Sequence, residues 1–432
     1  MAIKGHRATF QIAGIGELMR NSLVSLNQKR LDKNRILDPM EEDYSTSPLV
    51  YKLCKTLEAE RVAYCHWKSN NALARSAQAE NDLDLLVDRA SIRRFIEILS
   101  RCGFKETRMP IENETPGILN YYAYDELADK WVHVHAHYQL VLGHDATKNY
   151  HLPIEKPYLA SAVQGDLFNV PAPEFEFIIF VIRMMLKHST WDVILARQGH
   201  LSAAEREEFA YLQARVDPSK ICDLLKKDLP CVTETLFNAC LQSLRTESRW
   251  WFRIKAGRLL KSSLGAHGRR PQTLDVWLKL WRRLIGAFQR RAFGNRVQKR
   301  LASGGFVVAI VGGDGSGKTT AIDALHTWLS REFKTMRVHI GKPPWSWTTI
   351  AVRGILKVGR SLGFYPFMRA SMQYTSDPKS LVFPGYPWAF RELCTARDRY
   401  RAFAKVRRFA TNGGLVISDR FPLPQVTLMD GP

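Results

Sequence analysis

The chain has 432 residues, of which 45% are hydrophobic and 24% are charged, and its formal net charge is +21. These proportions are typical of globular proteins and exclude wholesale disorder, and the length allows two or three domains. No uncharged apolar stretch reaches the roughly 18 residues that a membrane-spanning helix needs. The N-terminus has no apolar segment followed by a cleavage site, so secretion is not indicated.

The seven cysteines lie far apart in the sequence and form no C-x-x-C pair. This spacing indicates free thiols in a reducing cytosol, without a disulfide framework or a zinc knuckle. We therefore expect a cytoplasmic protein.

The first part of the chain predicts a small α/β domain at 49–165, after a polar and poorly ordered lead-in at 1–48. A helical pattern from Leu49 precedes the strand RVAYCHW, and the strand DLDLLV precedes a helix that stops at Gly103. The stretch KWVHVHAHYQLVL then alternates in the manner of a strand.

Residues 166–270 are predicted to be helical, and 271–304 to form a basic amphipathic linker. Between Arg249 and Arg300 there are fifteen Lys or Arg and one acidic residue, a net of +14, which favours phosphates, acidic lipids or nucleic acid as partners. One face of the linker helix collects five apolar side chains: Trp277, Leu280, Trp281, Leu284 and Phe288. Their regular spacing favours packing against the following domain, with attachment to an acidic membrane surface second. Nucleic acid and a homodimer stay open as further partners.

The last domain, 305–432, opens with a predicted phosphate-binding loop. The short buried strand FVVAIV is followed by G-x-x-x-x-G-K-T and then by a helix-compatible stretch, which is the context that this motif requires. Glycines let backbone N–H groups turn towards phosphate oxygens, and the helix N-terminus adds its dipole. Lys318 can reach the β- and γ-phosphates, and the Thr319 hydroxyl can ligate magnesium. The residues expected to bind the nucleotide are Gly312, Gly313, Asp314, Gly315, Ser316, Gly317, Lys318, Thr319 and Thr320. The alternative is a glycine-rich turn with an incidental lysine.

Three motifs of this domain resemble the thymidylate kinase family. GGDGSGKTT resembles the family's phosphate loop, which has an acidic third residue, and GGLVISDRF resembles its strand that ends in Asp-Arg-Tyr. ARDR in the preceding helix resembles the family's Ala-x-Asp-Arg stretch. The resemblance covers about 305–421. It implies a P-loop NTPase fold of the nucleoside monophosphate kinase type, with a parallel sheet, that uses ATP and Mg²⁺.

The resemblance also implies roles for individual residues. Asp314 would contact the sugar of the acceptor and Arg420 its phosphate, and Lys318 and Asp419 would complete the catalytic set. Asp419 would also lie near the magnesium, together with the loop threonine, and Arg399 would face the acceptor. A surface ion pair is the alternative for Asp419 and Arg420, and other arginines of the same helix compete with Arg399.

The chain also departs from that family. HIGKPPWSWTT stands where the family has an Arg-Glu-Pro-Gly-type turn, so the acceptor clamp is expected to be absent or rebuilt. No arginine-bearing lid precedes Pro432. Because a lid arginine normally stabilises charge on the transferring phosphoryl group, we expect an incomplete kinase domain that binds ATP but catalyses poorly.

Two carboxylates stand out in the amino-terminal domain. Asp82 and Asp84 are two residues apart on a predicted strand and project from one face, and such pairs can hold the magnesium ions used in nucleotidyl transfer. The surrounding segment resembles the nucleotidyltransferase superfamily, with residues 68–70 in the place of its Gly-Ser turn although the glycine is missing. The alternative is an exposed strand end with scattered acids.

The third carboxylate of that superfamily comes from a later strand, which here carries His133, His135 and His137 on one face. His135 stands where the acid is expected. Three such histidines could bind a transition metal or phosphate, but hydrogen-bonded histidines on a partly buried strand are the favoured interpretation. A degenerate, nucleotide-sensing domain is the alternative to an active one.

The leading function is therefore ATP-dependent phosphoryl transfer to a nucleoside monophosphate or another small acceptor. Nucleotidyl transfer through Asp82 and Asp84 is the rival hypothesis. A third is a regulator that binds nucleotide without catalysis.

Overall fold

The computed structural model describes residues 46–110, 114–144, 147–189, 201–245, 248–293, 298–311, 315–339, 344–363 and 386–419. The lead-in up to residue 45 and four predicted site residues, Gly312, Gly313, Asp314 and Arg420, lie outside these ranges. Within them the chain is an α/β protein whose sheets combine parallel and antiparallel pairs.

The strands of the described residues are numbered in chain order. They are β1 (Tyr64–His66), β2 (Leu83–Val87), β3 (Lys105–Arg108), β4 (Ile118–Asp125), β5 (Lys130–His137), β6 (Leu140–Leu142), β7 (Tyr150–Leu152), β8 (Val163–Gln164), β9 (Asn169–Val170), β10 (Arg300–Leu301), β11 (Val307–Ile310), β12 (Thr335–His339) and β13 (Leu415–Asp419).

The α-helices are numbered in the same way. They are α1 (Pro48–Ala59), α2 (Leu73–Ala77), α3 (Ile92–Arg101), α4 (Glu155–Ala160), α5 (Pro173–His188), α6 (Ala203–Gln213), α7 (Pro218–Asp228), α8 (Glu234–Leu244), α9 (Trp250–Ser263), α10 (Gln272–Phe293), α11 (Lys318–Leu329), α12 (Trp347–Ser361) and α13 (Tyr386–Thr411).

The amino-terminal sheet has six strands in the order β1-β2-β5-β4-β3-β10. The β2–β5 pair is parallel and the other pairs are antiparallel. Helices α1 and α3 pack together, and their apolar side chains join the core of this sheet. In α3 the buried residues Phe95, Ile98 and Leu99 follow helical spacing. The helix ends before Gly103, whose φ of +88° suits glycine, so the predicted stop is confirmed.

The helical segment forms a second core around α5. This helix is buried along almost its whole length, and α6, α7, α8 and α9 surround it. It begins at Pro173, where the missing N–H of proline costs nothing because the first turn has no intrahelical partner. Between Pro173 and Ser263 the described residues lie mostly in these five helices, whereas β9 occupies Asn169–Val170 within the segment predicted to be helical.

Helix α10 begins directly after Pro271, as predicted, but its apolar face is not packed away. The five side chains on that face are between half and two-thirds exposed, and the rings of Trp277 and Trp281 stack on each other at 5.7 Å. The expected packing of this face against the following domain is therefore wrong. The physical reason is that periodic apolar spacing shows that a face exists but not what covers it.

The carboxy-terminal sheet has three parallel strands in the order β11-β13-β12. Gly305 lies just before β11 and Gly414 just before β13. The two backbones approach so closely there that a Cβ added at Gly305 would overlap the carbonyl oxygen of Gly414. Strand β13 is buried, whereas β11 lies at an edge of the described sheet and is largely half-buried.

The two sheets meet in a shared core. Tyr122 of β4 and Trp131 of β5 pack against Phe333, and the Trp131 ring stacks on Trp328 of α11 at 4.9 Å. Strand β10 extends the amino-terminal sheet just before β11 begins. The described residues from Thr46 to Asp419 accordingly belong to one compact unit, although their sequence predicts several segments.

Two expectations concern the whole chain. All seven cysteines are free thiols, as predicted. Among the described residues, no helix combines the length and the apolar character needed to cross a membrane.

Candidate functional site

The carboxyl ends of the three parallel strands lie at one level. Asp419, the last residue of β13, is in register with Ile310 of β11 on one side and with His339 of β12 on the other. Ligands of open α/β sheets bind outside the carboxyl ends of parallel strands. The sheet therefore directs Asp419 to the edge from which the predicted phosphate loop departs.

The Asp419 carboxylate is only partly satisfied. Its Oδ2 lies 4.0 Å from Nε2 of His339, and its Oδ1 is buried with no hydrogen-bond partner among the described residues. A buried carboxylate oxygen without a donor is costly. This oxygen is therefore suited to accept a cation or a donor from a ligand.

Residues 315–317, the described part of the predicted loop before the helix, lead directly into α11. Strand β11 ends at Ile310 and α11 begins at Lys318, so the strand and the helix on either side of the predicted loop are both present. Gly315 and Gly317 have φ values of +81° and +80°, which favour glycine. Gly317 caps α11 without a side-chain hydrogen bond, so the first N–H groups of the helix receive no side-chain cap.

The side chains around this helix start are accessible. Ser316, Thr319 and Thr320 are exposed, and Lys318 is half-buried. A helix N-terminus that carries a lysine and exposed hydroxyls is suited to bind an anion. Lys318 and Thr319 thus begin the helix that follows β11, and Asp419 ends the neighbouring strand β13.

Two arginines of α13, Arg397 and Arg399, have different surroundings. Arg397 donates to Ser346 Oγ at 2.8 Å and also contacts Thr348, whereas the Arg399 side chain is exposed. Asp398 between them is buried and accepts hydrogen bonds from Thr349 Oγ1 at 2.6 Å and from the Ser346 N–H at 2.9 Å. Arg397 and Asp398 therefore join α13 to the start of α12, and Arg399 faces solvent.

These contacts also control the ionisation of Asp398. Burial by itself would raise the pKa of this carboxyl, but the hydrogen bonds from Thr349 and Ser346 lower it to about 2. The charge is stabilised by neutral donors, with Arg397 3.6 Å away. Asp398 is a positioning residue that the sequence reasoning did not single out. Its signal was the acid within the family-like stretch ARDR.

A second polar cluster lies in the amino-terminal sheet. The parallel β2–β5 register places Asp84 opposite His135. Asp84 Oδ1 lies 3.0 Å from Nδ1 of His135, 3.8 Å from Nε2 of His137 and 2.9 Å from Nζ of Lys68. Asp82 is more exposed, and its Oδ1 instead contacts Nδ1 of His133 at 2.7 Å. Each carboxylate thus has its own histidine partner.

Burial and charge set the protonation of this cluster. Burial alone would raise the pKa of Asp84, but the Lys68 ammonium and the two histidines hold it well below its usual range. Burial lowers the pKa of His135 and lowers that of His137 further. The cluster therefore holds an ionised carboxylate beside two neutral imidazoles at neutral pH.

The turn at residues 68–70, which comes before this cluster, has a serine in a conformation typical of glycine. Ser69 adopts a φ of +59°, a conformation that usually favours glycine. Its N–H donates to Glu208 Oε1 at 3.1 Å, and the Asn70 N–H donates to Glu176 Oε1 at 3.2 Å. The helical segment thus stabilises the strained turn. The two buried acids were missed by the sequence reasoning, and their signal was glutamate within otherwise apolar helix faces.

No protein-family model, curated protein or solved structure matches this chain. The function is therefore inferred from its own residues and their geometry.

Proposed function

We propose that the chain binds ATP with magnesium at the loop Gly312–Thr319 and transfers the γ-phosphoryl group to a small acceptor. The observation that carries the proposal is the register of Asp419 with Ile310, the residue at which the strand before the loop ends. This register brings a carboxylate to the strand end from which the chain runs into a glycine-rich turn and the N-terminus of α11. A P-loop arrangement of the nucleoside monophosphate kinase type needs these three parts together.

The residues at this edge fit the implied nucleotide and metal. Lys318 and the N-terminus of α11 would bind the phosphates, and Thr319 and Asp419 would hold the magnesium. The fit is supported by the buried Oδ1 of Asp419, which lacks a donor among the described residues. When bound, ATP supplies the phosphoryl group and magnesium offsets its negative charge.

The acceptor would bind towards α13. Arg399 is exposed there, and the buried Asp398 next to it keeps this stretch of helix against α12. An exposed arginine suits an acceptor that carries a phosphate, because guanidinium and phosphate form bidentate hydrogen bonds. We therefore propose a nucleoside monophosphate or a similar phosphorylated small molecule as the acceptor.

The two carboxylates of the amino-terminal sheet support nucleotidyl transfer less well. Each one contacts a different histidine, and Lys68 also contacts Asp84. These cations and donors compete with magnesium for the same oxygens. Nucleotidyl transfer thus stays the rival hypothesis.

Calorimetry with ATP and magnesium tests the binding part of the proposal. Lys318→Ala should weaken ATP about tenfold or more, because a hydrogen bond to a charged group contributes about 1.5–3 kcal/mol. Lys405→Ala, which removes an exposed lysine of α13, is the charge-matched control and should leave the affinity unchanged. Equal ATP affinity for the Lys318→Ala variant and the wild type would exclude the phosphate-loop assignment.

Labelled ATP tests the reaction. With ATP labelled at the γ-phosphate, the label should appear on an acceptor from a panel of nucleoside monophosphates and phosphorylated sugars. Release of pyrophosphate would indicate nucleotidyl transfer instead. Tight binding with no transfer to any member of the panel would indicate a nucleotide-binding regulator.

A further inference from the structure

Three side chains of the amino-terminal sheet direct one ligand atom each to a common point. Asp84 Oδ1 lies 3.0 Å from His135 Nδ1 and 3.8 Å from His137 Nε2, and the two nitrogens are 3.3 Å apart. Among the described residues, no other group of three His, Cys, Asp or Glu brings its ligand atoms this close together.

We propose that Asp84, His135 and His137 form a binding site for a divalent transition metal ion of the zinc class. Zinc binds imidazole nitrogen at about 2.0–2.1 Å and carboxylate oxygen at about 2.0–2.2 Å, usually with tetrahedral geometry. The ligands of such a tetrahedron are about 3.3–3.5 Å apart. The three measured separations lie on both sides of that value, so an ion fits with only small movements of the side chains.

The backbone fixes this triangle. His135 faces Asp84 across the parallel β2–β5 pair, and His137 lies two residues further along β5 on the same face. Both strands are central in the six-stranded sheet, so their side chains are held more precisely than those of a loop. The donor set of two imidazoles and one carboxylate leaves a fourth position for water or substrate.

Lys68 is the competitor for this site. Its Nζ lies 2.9 Å from the same oxygen, Asp84 Oδ1, and the lysine side chain is only 23% exposed. A metal ion and an ammonium group cannot share that oxygen without repulsion. The proposal therefore requires Lys68 to move away when the ion binds, and it predicts that replacing this lysine by an uncharged residue tightens binding.

His133 provides a matched control on the same strand and the same face. Its Nδ1 contacts Asp82 at 2.7 Å and its Nε2 contacts Asn120 at 2.9 Å, so both ring nitrogens are already engaged. The ring also stacks on Tyr122 at 4.3 Å. A histidine held in this way has no nitrogen to offer to an ion at Asp84.

The experiment titrates the full chain with Co²⁺, whose visible absorption reports nitrogen and oxygen ligands, and then displaces it with Zn²⁺. We expect one ion per chain. Loss of residues that merely support metal ligands costs 10–100-fold in affinity, so His135→Gln and His137→Gln should each weaken the ion about a hundredfold or more. His133→Gln and Lys318→Ala should bind as the wild type does, and Lys68→Met should bind more tightly.

Thermal unfolding in a chelator shows which variants fold. If His137→Gln does not fold, the metal affinity of His135→Gln tests the site, because the His135 side chain is more exposed than that of His137. Equal affinity of wild type and His135→Gln, or no spectrum in the wild type, would overturn the metal site and leave a hydrogen-bonded ion pair between Lys68 and Asp84. Because no nucleotide is present and Lys318→Ala serves as a control, this result is independent of whether the chain is a kinase.

Discussion

Asp84 and Asp419 lie on inner strands of two different sheets, and their surroundings differ in one respect. Asp84 is contacted by Lys68 and two histidines, so its charge is balanced within the protein. Asp419 has a buried oxygen without a partner among the described residues, and its other carboxylate oxygen lies 4.0 Å from Nε2 of His339. The first site is assembled by the fold, whereas the second is suited to be completed by a ligand.

The difference originates in the neighbouring strands. Strand β5 supplies polar side chains next to β2, because every second residue of HVHAH is a histidine. Strand β11 supplies only the apolar Ile310 beside Asp419. A carboxylate thus becomes an internally balanced group or a candidate ligand group according to which residues stand in register with it.

The largest expected effect distinguishes these two aspartates. Asp84→Ala should lower the free energy of unfolding by about 3 kcal/mol, because breaking a buried ion pair leaves the partner charge uncompensated. Asp419→Ala should change it by less than about 1 kcal/mol, since a weak pair at 4.0 Å contributes little. Urea unfolding of both variants without nucleotide measures this contrast.

Equal destabilisation by the two substitutions would contradict the predicted difference between Asp84 and Asp419. A suitable control is Lys68→Met with Asp84→Asn in one chain. Replacing both charged partners together should restore part of the stability that Asp84→Ala loses.

A second prediction concerns the acids that stabilise the turn at 68–70. Glu176 is buried beside Asn70, and burial, with Glu208 nearby, raises its pKa to about 7 although Asn70 and Arg183 lower it. The folded state therefore retains a proton that the unfolded state loses near pH 4.5. Stability should fall as the pH rises from about 4.5 to about 7, by at most about 1.4 kcal/mol per pH unit.

The variant Glu176→Gln keeps a hydrogen-bond acceptor for Asn70 but removes this ionisation. The melting temperature of the variant should therefore depend less on pH between about 4.5 and 7 than that of the wild type. Parallel pH profiles of the two chains would show that Glu176 is not the titrating group.

The third prediction tests how the carboxy-terminal sheet is held. Gly305→Ala should destabilise the chain by about 1–3 kcal/mol, because the added Cβ would overlap the carbonyl oxygen of Gly414. Gly354→Ala on α12 has no neighbouring atom within 4 Å of the added Cβ and should stabilise by about 0.4–1 kcal/mol. Thermal unfolding of both variants checks the sign and the size, and stabilisation by Gly305→Ala would contradict the close approach.

The phosphate loop illustrates what local sequence can predict. A short apolar strand, a glycine-rich stretch of sequence and the helix at Lys318 are adjacent in the chain, so the order and type of the strand and the helix follow from local preferences. The same holds for α10 after Pro271 and for the end of α3 before Gly103. The exposed apolar face of α10 was mispredicted because burial depends on segments far away in the sequence.

The sequence by itself determined several of the strands and helices and the chemical types of the site residues, since periodicity, glycine and proline act over a few neighbours. Only the tertiary structure decided their partners. It pairs Lys68 with Asp84 and His133 with Asp82. It also brings His135 and His137 close to Asp84, and the β11–β13 register sets Asp419 beside the end of the strand that precedes the loop. The paired residues lie between 16 positions apart, for Lys68 and Asp84, and 109 positions apart, for Ile310 and Asp419. Such pairings are set by strand register and packing, which no local pattern encodes.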